Sequence, residues 1–198
     1  MVATVKQETR TPEPTPPRPA EREERLLLER IAAKDVAAFR ALYLVYHKRM
    51  SRFLLRFVRH HELVEEVIND TMYVVWCKAQ EFRGDSQVST WVLGIAYRKA
   101  LKLVRKGARS PLVYTAIDPD SAALRDDAGA GQRELRESID RALGALPPLQ
   151  RMVIELAYFM GHSCEEIAVI TDSPVNTVKT RMFHARERLR GLLEDARP

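Results

Sequence analysis

Glu62, Glu65, Glu66 and Asp70 place four acids and no bases within nine residues, whereas Arg98 to Arg109 holds six bases and no acid. A third charged stretch, Pro174 to Arg190, carries five Lys/Arg against the single acid Glu187. Cations in such density neutralise phosphates, so the two basic stretches imply nucleic-acid tracks. The acidic strip repels nucleic acid and implies a protein partner. Beside the first basic stretch lie Trp91, Tyr97 and the polar loop Arg83-Gly84-Asp85-Ser86. Aromatic faces next to cations are what single-stranded bases need for stacking and backbone neutralisation. The competing reading of Trp91, taken alone, is a core ring.

The last stretch presents Asn176, Lys179, Thr180, Phe183, His184 and Arg186 opposite an apolar stripe of Val175, Val178, Met182, Ala185, Leu189 and Leu192. Long cations suit phosphates and guanine edges, Asn and Thr can hydrogen-bond bases, and Phe can pack on a thymine methyl. A solvated basic face on a helical hairpin is the bland alternative. The residues just upstream weigh against it. Ser163-Cys164-Glu165-Glu166 has the serine-to-glutamate spacing of a capping box. Thr171-Asp172-Ser173 makes a tight turn, with Ser173 placed to cap the next helix and Pro174 at its first position. A short helix, a turn and a longer helix with a buried stripe describe a helix-turn-helix.

The remaining sequence supplies the elements that position these groups. TPEPTPPRPA, from Thr11 to Ala20, has five prolines in ten residues, so residues 1–22 read as a disordered tail. After Asp35, a candidate N-cap, Val36, Phe39, Tyr43, Tyr46, Met50, Phe53 and Phe57 form one apolar stripe at spacings of three and four. Arg59-His60-His61 marks a turn, and a helix over Glu62–Gln80 turns Val64, Val67, Ile68, Val75 and Ala79 inward. Another helix, Thr90–Lys106, carries Trp91, Ile95 and Leu101 among its bases. Periodicity is lost over residues 107–132, rich in Gly, Pro, Ala and Asp, which read as a flexible acidic linker. Helical pattern returns for 133–198, broken at Pro147-Pro148. The expected fold is all-α, with two helical domains, 23–106 and 133–198, joined by the linker.

Composition removes several functional classes. Of the 198 residues 30% are charged and the net charge is +5. Cys77 and Cys164 have neither CxxC nor Cys/His spacing, which argues against a disulfide scaffold or zinc site and suits a reducing cytosol. His61 and Glu65 share a helix face with Glu62 and Glu66 nearby, but the Glu-x-x-His repeat of di-iron bundles is missing. No metal, cofactor, catalytic constellation or membrane-spanning run is expected.

Four segments together resemble a bacterial sigma factor of the extracytoplasmic-function (ECF) group, a sigma-70 family subunit of RNA polymerase. They are DVAAFRALYLVYHKRM, VEEVINDTMYVVWCKAQEFRGDS, STWVLGIAYRKALKLVRK and LPPLQRMVIELAYFMGHSCEEIAVITDSPVNTVKTRMFHARERLR. The resemblance implies that 23–106 binds core polymerase through Glu65, Glu66, Asn69, Asp70, Tyr73 and Trp76, docked on the clamp of the largest subunit. It implies that Arg83, Gly84, Asp85, Ser86, Ser89, Trp91, Tyr97, Arg98, Lys102 and Arg105 open the minus-ten element and hold its unstacked non-template bases. The helix-turn-helix would read the duplex minus-thirty-five element through Asn176, Thr177, Lys179, Thr180, Arg181, Phe183, His184 and Arg186, near the flap of the second-largest subunit. The linker, with Asp118, Asp120, Asp126 and Asp127, would thread toward the active site and RNA exit.

The chain departs from the family pattern in several places. Asn69 stands where glutamine is usual, Arg98 and Lys102 where Asn and Asp are frequent, and His184 where arginine is common. Asp172 and Asn176 hold positions often given to glycine, and both residue types tolerate turn geometry. An anti-sigma partner, a free monomeric state and a cytoplasmic location follow from the resemblance. The alternatives are a stand-alone helix-turn-helix regulator, which would usually dimerise on a palindrome, and an interaction module with incidental basic faces.

Overall fold

The computed structural model describes residues 19–55, 58, 60–106 and 138–194. All regular elements among them are helical. The expected linker, 107–132, lies outside the described residues.

Helix α1 spans Pro19–Ala32. It begins inside the stretch expected to be a tail, because a proline at the first helical position gives up an amide that would have no partner anyway. Lys34 stops the helix in the left-handed region (φ 65). The amides of Lys34 and Asp35 return to the carbonyls of Ile31 and Arg30 at 2.8 and 3.1 Å, the paired closure of a Schellman turn. Asp35 then caps α2 (Val36–Leu54), accepting from Ala37 N at 2.8 Å and Ala38 N at 3.1 Å. These backbone bonds, with the Arg30 guanidinium, hold its carboxyl below the usual range.

The buried stripe of α2 is Ala38, Leu42, Tyr46, Met50, Phe53 and Leu54. This corrects the expected stripe at its start. Val36 is 69% exposed, Phe39 and Tyr43 are half-buried, and Phe57 lies outside the described residues. A strict 3.5-residue spacing drifts round a 3.6-residue helix, so it crosses from one face to its neighbour and meets the real stripe only from Tyr46 on. Phe39 and Tyr43 instead form a rim. Phe39 sits edge-on to Trp76 at 5.2 Å between centroids, and Tyr43 donates to Asn69 Oδ1 at 3.0 Å.

Helix α3 (His61–Lys78) buries Val64, Val67, Ile68, Thr71, Met72 and Val75, and its chain continues into a 3₁₀ turn, Ala79–Glu81. Helix α4 (Val88–Lys106) buries Val88, Val92, Leu93, Ile95 and Ala96, positions too numerous for one stripe. They are shared between two neighbours, since α4 packs against α3 on one side and α7 on another. Leu101 is half-buried.

In the second half, residues 138–144 form α5, and Pro147-Pro148 breaks the chain before α6 (Pro148–Ile154). A π-helical turn, Glu155–Phe159, follows. Helices α7 (Cys164–Thr171) and α8 (Val175–Glu194) complete the order. One continuous cluster of buried side chains runs from Leu28 in α1 to Ala185 in α8, so the two helical halves share a packed seam at α4 and α7. There Thr90 Oγ1 donates to Glu166 Oε1 at 3.5 Å.

Candidate nucleic-acid interface

The helix-turn-helix is built by local chemistry. Ser163 Oγ accepts from Glu166 N at 3.2 Å and Glu166 Oε2 accepts from Ser163 N at 2.8 Å, completing the capping box. Asp172 ends α7 in the left-handed region (φ 49), which Asp tolerates better than most residues. Asn176, the other glycine-like position, lies inside α8 and needs no special backbone. Ser173 does not cap α8 as expected. Its hydroxyl donates to Thr171 O at 3.3 Å and accepts from Arg181 Nη1 at 3.3 Å. The turn bends Ser173 back toward α7, and Arg181 is drawn to it as a half-buried brace.

Val178, Met182 and Ala185 bury the inner face of α8. Asn176, Lys179, Thr180, Phe183, His184 and Arg186 are exposed, and Thr177 is half-buried. Phe183 is 61% exposed, a cost in water that suits a ring awaiting an apolar partner. His184 stands edge-on to it at 5.5 Å. Two neighbours of this face were missed in the sequence. Glu165 on α7 lies 3.4 Å from Lys179 Nζ; a bond from its own amide and the Lys179 charge lower its carboxyl pKa. Tyr158, thrown outward by the π turn, sits under the Arg186 guanidinium at 5.6 Å. No local pattern in ELAYFM signals that turn.

The minus-ten candidates fall into two groups. Trp91, Arg98 and Lys102 line a cleft of about 450 Å³ between α3 and α4, with Lys78, Lys99 and Glu81 at its edges. Trp91 is half-buried and tilts against Phe82 at 5.3 Å, so the ring serves the core and the cleft together. Tyr97 is half-buried against the core. Ser89 is placed differently: it lines a separate cavity of about 270 Å³, with Gln87, Phe159, Met160 and His162, at the seam with the second half. Arg83 and Asp85 are exposed, Ser86 is half-buried, and Gly84 has φ +80. The Arg105 side chain lies outside the described set.

The acidic strip forms one face of α3. Glu62, Glu66, Asn69, Asp70 and Tyr73 are exposed along it. Tyr73 is 68% exposed, and a hydrogen bond with Cys77 one turn on raises its phenol above the ordinary value. Glu65 turns aside to His47 Nε2 at 3.0 Å. Trp76 is half-buried, held between Phe39 and the Lys34 ammonium at 5.2 Å from its ring. The acidic and basic surfaces touch, because Lys99 of α4 donates to Asp70 at 2.8 Å.

Two family models match the chain: "Sigma-70 region 2" over residues 42–110 and "Sigma-70, region 4" over residues 136–189. The ECF RNA polymerase sigma-E factors of Salmonella typhi and Escherichia coli (strain K12) are 33% identical over 176 residues, covering 83% of this chain and 91% of theirs. The RNA polymerase sigma-H factor of Pseudomonas aeruginosa is 33% identical over 171 residues, covering 81% and 89%. Among solved structures, CnrH in complex with the cytosolic domain of CnrY shares the fold, with TM-score 0.62 at 23% identity over 88% of this chain and 99% of that one. The sigma factor RpoE of Bartonella quintana, in complex with the anti-sigma factor NepR, has TM-score 0.61 at 26% identity over 82% and 100%. With a capped helix-turn-helix, a basic aromatic cleft and an acidic helix face in the family's order, the chain belongs to the ECF sigma factors, alternative sigma-70 family subunits that direct RNA polymerase to specific promoters.

Proposed function

We propose the following division of labour. The unit from 23 to 106, with α1 extending it back to Pro19, binds core polymerase through the exposed face of α3 and opens the minus-ten element. The loop at Arg83–Ser86 and the Trp91–Arg98–Lys102 cleft take the unstacked non-template bases. Extruding a base costs a few kcal/mol, which stacking and phosphate neutralisation offset. The unit from 133 to 198 reads the minus-thirty-five duplex with the outer face of α8. The protein acts as a cytoplasmic monomer without cofactor or catalysis of its own. Among the described residues no helix is long and apolar enough to cross a membrane. Because the neighbouring sigma factor RpoE is held by the anti-sigma factor NepR, an anti-sigma factor covering the polymerase-binding surfaces is part of this reading.

The observation that carries the proposal is the outer face of α8. Its buried stripe and the capped α7 leave Asn176, Lys179, Thr180, Phe183, His184 and Arg186 free to enter a major groove. Reconstitution with core polymerase and a panel of promoters tests the whole: a specific transcript supports it, and no stable complex or transcript with any promoter rejects it.

Lys179→Ala gives a narrower test. Loss of one groove contact is expected to weaken minus-thirty-five binding by about 1–3 kcal/mol. The slope of log K against log salt should shrink by about 0.9 if the contact is a phosphate. An unchanged affinity and slope would remove Lys179 from the interface and leave it as the partner of Glu165.

A further inference from the structure

Gly84 sits in the loop assigned above to the minus-ten strand, and two separate constraints hold it as glycine. Its φ of +80 is a conformation that side chains strain to adopt. In addition, a Cβ there would collide with Arg25 Nη2 and lie 3.2 Å from Cζ, so the guanidinium of α1 rests directly against the glycine backbone. Arg25 is exposed and makes no ion pair among the described residues. The acids a turn away on α1 are otherwise placed: Glu21 is half-buried at the seam cavity, and Glu29 is exposed. The adjacent Glu24 is buried and occupied by Tyr46, which donates to it at 2.6 Å, and by Arg49.

The guanidinium meets the glycine end-on through Nη2, so the N–H groups on Nε and Nη1, which point elsewhere in its planar fork, remain for an anion. Arg83, also exposed, stands next in the chain to Gly84. The loop thereby gains a second cation, supplied by a helix outside both matched family segments. We propose that Arg25 is a further DNA-binding residue, whose guanidinium, seated on Gly84, grips a phosphate of the single strand held by the Arg83–Ser86 loop. This rests on the minus-ten reading of that loop. Glycine at 84 then has a functional consequence beyond the turn, since it lets the cation approach the strand's path.

The test uses the full chain assembled with core polymerase and a labelled single-stranded oligonucleotide carrying the non-template minus-ten sequence, titrated across KCl concentrations. Arg25→Ala should weaken binding about fivefold and reduce the salt slope by about 0.7, one single-strand phosphate contact. Arg25→Lys should keep the slope and recover part of the affinity, since lysine retains the charge without the fork. Polymerase affinity and the melting midpoint should stay at wild-type values. An Arg25→Ala holoenzyme with the wild-type salt slope overturns the proposal, including when affinity falls, because Arg25 would then only prop the loop. A wild-type holoenzyme that does not prefer the minus-ten strand over a scrambled one overturns the loop reading itself, a result distinct from any effect of Arg25.

Discussion

Leu42→Ala is expected to destabilise the protein by about 2–5 kcal/mol, the usual cost of truncating a buried leucine. Leu42 is 0% exposed, on the stripe that α2 turns toward the core, so the cavity left behind has no solvent to fill it. The companion change Val36→Ala should stay within about 0.5 kcal/mol, as a surface substitution does. Val36 is 69% exposed, and alanine is the better helix former. Urea denaturation of both variants checks the pair through their midpoints at constant m. Equal losses would mean that α2 is rotated, with the Val36–Phe39–Tyr43 stripe facing inward after all. Tyr46, common to both stripes, cannot distinguish them. Its hydroxyl is held neutral by burial and by Glu24, both of which raise its pKa well above the ordinary value.

Asp70→Lys is expected to lower affinity for core polymerase by at least about tenfold, or 1.4 kcal/mol, since it places a cation in the middle of the acidic face proposed to dock on polymerase. Stability should change little. The Asp70–Lys99 pair is 55% and 34% exposed on its two side chains, and pairs that open to water contribute about 0–1 kcal/mol. Competition against a labelled sigma subunit measures the first quantity and thermal melting the second. Binding of the same variant to minus-thirty-five duplex should match wild type. Parallel loss of polymerase and duplex binding, with a lowered melting midpoint, would show that the substitution disrupts the packing of α3 on α4 and not a docking face.

Asp70 also shows where reading the chain in one dimension stops. The acidic strip and the basic stretch are plain as charge runs, and their separate partners follow from Coulomb's law. That Lys99 is engaged by Asp70 depends on α3 and α4 lying side by side, so the effective basic track is smaller than a count of cations suggests. Ser89 and Trp91 are two positions apart, yet one lines the seam cavity and the other the basic cleft. A helix turns about 100° per residue, and only its neighbours decide which direction is covered.

What the sequence determined by itself is what nearby residues enforce on each other. The Asp35 cap, the Ser163–Glu166 box, the left-handed Asp172 and the buried stripe of α8 all depend on groups within one or two turns. Together they fix the exposed face of α8. Tertiary structure decided whatever depends on a distant partner. It chose between the adjacent stripes of α2, drew Ser173 and Arg181 together, and closed α7 against α4. It also laid Arg25 on Gly84. The physical reason is range: capping and helical period act through the backbone at fixed spacing, whereas burial and close approach are set by surfaces that meet only after the helices have packed.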